Sequence, residues 1–273
     1  MNGASPTEPT PPAERRRAIA GIPLRVIFPN LVTLVALCAG LTAIRYAIEG
    51  RYEASVIAIV VAAVLDGLDG RLARALKGTS RFGAELDSLA DFLDFGVAPA
   101  LLMYMMFLQQ IKGFGWMAAM IFAIACGLRL VRFNVMLDEP KPAWAGNFFT
   151  GMPAPAGAII GMLPVYVHLM GWPVTRGWAP VAIVYVLVVA LLMVSRIPHF
   201  SGKQVGRVPR EYLIFVLFGV AVLLMLIATY PIEMLAAITV IYLALIPLAV
   251  VRHRAFARAD AAQAAPAGDE GQG

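Results

Sequence analysis

The chain has 273 residues, of which 60% are hydrophobic and only 14% charged, and its mean hydropathy is +0.77. This balance excludes a soluble globular domain and points to an integral membrane protein, for which no nucleic-acid partner is expected despite the net charge of +5. The two cysteines, Cys38 and Cys126, lie far apart in apolar stretches, which argues against a disulfide framework or a thiolate metal site.

In chain order, residues 1–24 contain the Arg15-Arg16-Arg17 cluster but no apolar run of the kind a secretory signal needs. They read as a disordered, Pro-rich cytoplasmic tail. Apolar stretches near the ~20 residues that a helical span needs follow at about 30–49, 53–76, 84–111, 115–136, 153–170, 178–195, 212–229 and 231–251. Only Tyr230-Pro231 separates the last two, so a single kinked unit stays open there. Residues 255–273, rich in Ala, Gly and Gln, read as a second disordered tail. Eight spans put both termini on one side. Of the 22 Lys and Arg, only Arg45, Arg51, Lys112 and Arg176 fall nearer the opposite face. The positive-inside bias therefore makes the terminal side cytoplasmic, as in a multi-pass protein of the cell (inner) membrane.

Residues 66–91 break the apolar background. The second span ends in Asp66-Gly67-Leu68-Asp69-Gly70-Arg71-Leu72-Ala73-Arg74, and the third begins with Gly83, Asp87 and Asp91. The second span runs inward and the third outward, so all four aspartates fall in one leaflet. Asp66 and Asp69 are three apart and Asp87 and Asp91 four apart, so each pair projects from a single helical face. The short connection over residues 77–82 makes these helices antiparallel neighbours, and four carboxylates can then converge. Ionised carboxylates near hydrocarbon cost kilocalories and repel one another, which calls for a cation or a wet cavity. Hard oxygen donors suit one or two Mg²⁺ or Mn²⁺ ions that also hold substrate phosphates. Pairing with Arg71 and Arg74 as structural glue is the alternative, but it leaves the spacing unexplained.

Gly67, Gly70 and Ala73 strip side chains from part of the second helix, which would let a base or phosphate approach the backbone; close helix packing would use them equally well. Arg74 can reach a phosphate as a rigid fork of donors. Lys77 and Arg81, beside the helix start at Gly83, add positive charge where an anion would enter, or serve only as topology markers.

The pattern DxxDGxxAR, eight residues, GxxxDxxxD resembles that of the CDP-alcohol phosphotransferases, membrane enzymes that move a phosphate-bearing group from a CDP-linked donor onto an alcohol. The resemblance implies that Asp66, Asp69 and Asp87 bind metal, that Asp91 completes the metal site and serves as general base, and that Gly70, Ala73, Arg74 and Gly83 line the CDP site. It also implies an all-α fold with a six-helix catalytic core over about 25–200, to which residues 201–254 add two C-terminal transmembrane helices, and it implies a homodimer.

Further segments bear on the alcohol: residues 79–91, Phe95-Gly96-Val97-Ala98-Pro99-Ala100, Leu128-Arg129-Leu130-Val131-Arg132-Phe133-Asn134 and Phe149-Thr150-Gly151-Met152-Pro153. Together they look like the bacterial membrane-bound CDP-diacylglycerol–serine O-phosphatidyltransferases, which implies transfer of a phosphatidyl group from CDP-diacylglycerol to L-serine. Serine brings a carboxylate and an ammonium. Arg129 or Arg132, three apart on one face of the fourth helix, can hold the first, and Asp94 can meet the second. Two arginines would equally suit an acceptor phosphate, so glycerol 3-phosphate and inositol phosphate stay open as acceptors, and choline stays open as another small alcohol. A divalent-cation transporter is the reading from another class. It would need polar groups continuing across the bilayer, and the middles of the last four spans have almost none.

Overall fold

The protein is described by a computed structural model over residues 24–78, 80–136, 148–172, 177–200 and 210–264. The expected tail over 1–24 lies outside the described residues up to 23, as do residues 265–273 of the C-terminal tail and Arg176. The described chain is helical apart from one short ladder. Its helices are α1 (Leu24–Ile48), α2 (Tyr52–Ala75), α3 (Arg81–Asp91), α4 (Ala98–Met106), α5 (Lys112–Val135), α6 (Ala154–Gly161), α7 (Leu163–Leu169), α8 (Ala179–Val194), α9 (Leu213–Thr229) and α10 (Pro231–Ala264). A π-helical turn, Phe92–Val97, joins α3 to α4, so that Arg81–Met106 forms one apolar rod.

Ile27–Ile48, Arg81–Met106, Gly113–Val135 and Pro231–Arg252 are long and apolar enough to cross a membrane, and Ala154–Leu169, Ala179–Val194 and Ile214–Thr229 are shorter apolar helices. α2 is as long but carries Asp66, Asp69, Arg71 and Arg74 in its C-terminal half. Burial is inverted relative to a soluble protein. Leu, Ile, Val and Phe side chains cover the outside, while Thr33, Ser55, Asp69 and Asp94 are buried. Every described α9 side chain from Ile214 to Thr229 is exposed, as expected of a helix facing lipid. This is a multi-pass membrane protein.

Three local features depart from uniform spans. Pro164 at the start of α7 has no N–H for the Ile160 carbonyl, and that carbonyl instead accepts the Tyr185 hydroxyl at 2.8 Å. The fifth span is accordingly two short helices. At Tyr230 the backbone leaves the helical region (φ −129, ψ 62), so α9 and α10 are separate helices rather than one kinked unit. α10 in turn continues to Ala264, past the point where a tail was expected from 255, because its Ala, Arg and Gln residues are good helix formers.

α1 organises the bundle around the aspartates. Ala36, Gly40, Ala43 and Ala47 form a buried small-residue face on it, and α2, α3, α4 and the π turn all pack against α1. The Ser55 hydroxyl on α2 donates to the Ala43 carbonyl at 2.8 Å. α2 and α3 pack chiefly on α1, with little direct contact between them, so the expected antiparallel pair is splayed rather than closed. The bundle is also tied by a ladder of β1 (Phe148–Thr150) with β2 (Pro198–Phe200), antiparallel with Phe149 opposite His199. Gly151, at φ +79, sits so close to the α8 end that a Cβ would lie 2.7 Å from the Ser195 carbonyl oxygen. The segment Phe149–Pro153 thus has a structural explanation.

The α1 face makes a stability prediction. A Cβ at Gly40 would land on Asp94 Oδ1 and 2.9 Å from Leu93 Cδ2, whereas one at Gly67 would meet nothing within 4 Å. Gly40→Ala should lower the unfolding temperature in detergent, at a cost of about 1–3 kcal/mol. Gly67→Ala should leave it unchanged or raise it.

Candidate active site

The chain reversal between α2 and α3 sets the site's geometry. α2 ends in a Schellman-type turn, in which Gly78 N donates to the Ala73 carbonyl at 3.0 Å and Lys77 N to that of Arg74 at 3.2 Å, with Lys77 in the left-handed region (φ 51). Ser80 caps α3, accepting from Gly83 N at 3.0 Å. Because α2 and α3 splay, a cavity of about 350 Å³ opens between them, walled on its third side by Pro29, Asn30 and Thr33 of α1.

Asp69 and Asp87 line this cavity together with Gly70, Ala73, Arg74 and Gly83. Its volume lies in the range of about 300–1,000 Å³ usual for small-molecule sites. Gly70 keeps the wall low beside Arg74, whose Nη1 is 3.6 Å from where a Cβ would stand. Gly83 is required for a different reason. A Cβ there would sit 2.6 Å from Asn30 Oδ1, so its absence lets α1 reach the cavity. Lys77 and Arg81, by contrast, are exposed and do not contribute to the lining.

Carboxylate oxygens of Asp66, Asp69 and Asp87 lie within 4.8 Å of one another. Asp69 is 4% exposed, and its Oδ2 accepts the Thr33 hydroxyl at 2.7 Å. Asp91 stands beside this trio, and Asp91, Asp66 and Arg129 of α5 lie close enough to interact electrostatically. Among the described residues no ion pair joins the aspartates to Arg71 or Arg74; the ion pairs there are Arg45–Glu49 and Arg51–Glu49 at the surface. Structural glue therefore does not account for the cluster. Three hard oxygen donors from two helices, beside a cavity with a free arginine fork, fit a divalent cation that shares a phosphate ligand.

The residues expected at the acceptor separate. Arg129 faces Asp91 and Asp66, its guanidinium 5.1 Å from the Phe133 ring centroid. Arg132 instead donates from Nη1 to the Val194 carbonyl, with the Ser195 carbonyl 3.4 Å away, and so caps the C-terminal end of α8. Asp94 lies in the π turn, 1% exposed, with Oδ1 turned toward Gly40 and without a hydrogen-bond partner. The extra residue of the π turn takes it off the regular one-turn spacing from Asp91. Sequence reasoning missed Asn30 and Thr33, although polar groups at the start of an apolar span were a signal.

The similarities of the chain agree with this geometry. A sequence model of the CDP-alcohol phosphatidyltransferases matches residues 26–250, which takes in α9 and most of α10 as well as the core. The chain belongs to the CDP-alcohol phosphatidyltransferase family. Members of the family use a divalent metal, in keeping with the acidic cluster. Among its relatives is a CDP-diacylglycerol–serine O-phosphatidyltransferase of Mycobacterium leprae, 40% identical over 84% of this chain and 76% of the relative. A protein of the same name from Mycobacterium tuberculosis is 40% identical over 87% of this chain and 82% of its own. One from Helicobacter pylori is 32% identical over 80% of this chain and 88% of the relative.

Lys77 supplies a test of what belongs to the site. A non-glycine residue in the left-handed region carries about 1–2 kcal/mol of strain, only partly offset by the added chain entropy of glycine. Lys77→Gly should keep or raise the unfolding temperature and leave the donor KM within about twofold. Arg74→Lys should raise that KM, because a point charge does not replace the fork.

Proposed function

We propose that this protein transfers the phosphatidyl group of CDP-diacylglycerol to the hydroxyl of L-serine, giving phosphatidylserine and CMP. The observation that carries the reading is the shared cavity, in which Gly70, Ala73, Arg74 and Gly83 meet Asp69 and Asp87 of the carboxylate cluster. The names of the relatives support serine as the acceptor.

In this reading Arg74 binds the diphosphate of the donor, whose CDP head enters from the cytoplasmic side while the diacyl tails stay in the bilayer. Asp66, Asp69, Asp87 and Asp91 hold one or two divalent ions, Mg²⁺ or Mn²⁺. Bound there, the metal would neutralise the diphosphate and the charge that develops on the leaving CMP. Asp91 accepts the serine hydroxyl proton, and the serine oxygen attacks the lipid-side phosphorus in line as the bond to CMP breaks. Arg129 is the better candidate for the serine carboxylate, since Arg132 is engaged with the α8 carbonyls. Asp94 keeps a role toward the ammonium only if acceptor binding draws it from Gly40. Lys77 and Arg81 would act on the donor at longer range, as positive charge near the entrance. The protein sits in the inner membrane as a homodimer, with both termini cytoplasmic and the catalytic core over about 25–200.

Purified protein supplied with radiolabelled CDP-diacylglycerol and a panel of alcohols tests the proposal. Phosphatidylserine should form with serine alone, should vanish with EDTA, and should return on adding Mg²⁺ or Mn²⁺. Consumption of glycerol 3-phosphate in place of serine would overturn the acceptor, and full activity in EDTA would overturn the metal. Arg129→Ala should cost roughly ten- to a hundredfold in kcat/KM for serine, the equivalent of a charge-assisted contact of about 1.5–3 kcal/mol, with little change in donor KM. Equal losses for both substrates would put Arg129 on the diphosphate or in the scaffold.

A further inference from the structure

Thr33 is one of the few polar groups inside α1, and it is 5% exposed. Its hydroxyl has one proton and two acceptors within reach: the Pro29 carbonyl one turn earlier, at 3.2 Å, and Asp69 Oδ2 on α2, at 2.7 Å. Bonding back to the i−4 carbonyl is the ordinary way for a threonine in a membrane helix to satisfy itself. Here the shorter contact is with the carboxylate of another helix. A proton shared with an ionised acceptor goes to the stronger, shorter bond, which leaves the Pro29 carbonyl as the secondary partner.

The consequence falls on Asp69. The terminal torsion of an aspartate is broad and roughly two-fold, so packing on its own does not fix how the carboxylate is turned. A hydrogen bond from a buried hydroxyl on a neighbouring helix does fix it, provided that helix is itself held. α1 meets this condition, since the Ser55 hydroxyl binds the Ala43 carbonyl farther along the same α1–α2 contact. We propose that Thr33 is a positioning residue for Asp69, occupying one carboxylate oxygen so that the group is held turned toward Asp66 and Asp87. This rests on the reading of the aspartate cluster as a divalent-cation site. Thr33 itself need not touch the ion. Partners of this kind typically change metal affinity by about 10–100-fold when removed.

The test uses Mn²⁺ alone, followed by electron paramagnetic resonance of the free ion and by the rise in unfolding temperature that Mn²⁺ confers on the full chain in detergent. Thr33→Val keeps the shape and removes the donor, and Thr33→Ser keeps the donor. We expect Thr33→Val to weaken Mn²⁺ binding roughly tenfold or more and to shrink the Mn²⁺-dependent thermal shift, with the metal-free unfolding temperature little changed. Thr33→Ser should stay within about threefold of wild type. Equal Mn²⁺ affinity in wild type and Thr33→Val would overturn the positioning role while leaving the cation site intact. A loss of metal-free stability with unchanged Mn²⁺ affinity would likewise reduce Thr33 to a structural residue. Should Thr33→Val not fold, Thr33→Ala, which also removes the donor, replaces it, and affinity equal to wild type in that variant overturns the proposal. Wild-type protein that fails to bind Mn²⁺ would instead remove the cation site on which the inference rests.

Discussion

Several carboxylates gathered in an apolar bundle lose hydration and repel one another, and the rest of this structure can be understood as the arrangement that makes such a gathering tolerable. Each buried ionised acid costs several kilocalories unless something positive or a hydrogen-bond donor faces it. Here the facing groups come from three directions. Thr33 reaches Asp69 from α1, the charge of Arg129 on α5 acts on Asp91 and Asp66 without direct contact, and the space between Asp66, Asp69 and Asp87 is of a size that suits a cation. The acids are not neutralised by their sequence neighbours Arg71 and Arg74, so Arg74 is left available to the cavity.

That requirement also explains the role of α1. A small-residue face lets it approach α2, α3 and the π turn closely, and Gly83 has no side chain where Asn30 needs room. α1 therefore works as a wedge that keeps α2 and α3 apart at the point where a nucleotide diphosphate would enter. An ordinary closed pair of antiparallel helices would bring the same motif residues together but would leave no cavity.

The motif made much of this legible in advance. Helical periodicity and a short reversal were enough to bring Asp66, Asp69 and Asp87 together and to set Gly70, Ala73 and Arg74 of α2 around one cavity with Gly83 of α3. What stayed hidden depended on non-local contacts. The π turn alters the spacing after Asp91 and is invisible in apolar periodicity, so Asp94 turned out to be buried against Gly40 rather than open to an acceptor. Arg129 and Arg132 looked equivalent on a helical wheel, and only the position of the α8 end separates them. Lys77 takes the left-handed position that closes α2, a backbone demand that composition does not reveal. The α1 wall stayed hidden because Asn30 and Thr33 sit within an otherwise apolar span.

In the proposed reading the aspartate cluster holds the cation next to a donor diphosphate gripped by Arg74. Anomalous diffraction from crystals of the protein grown with Mn²⁺ and CDP-diacylglycerol tests it most directly. The expected result is manganese signal between Asp66, Asp69 and Asp87, with the diphosphate in the cavity bounded by α1, α2 and α3. Manganese bound away from these carboxylates, or a CDP head lodged elsewhere in the bundle, would contradict it.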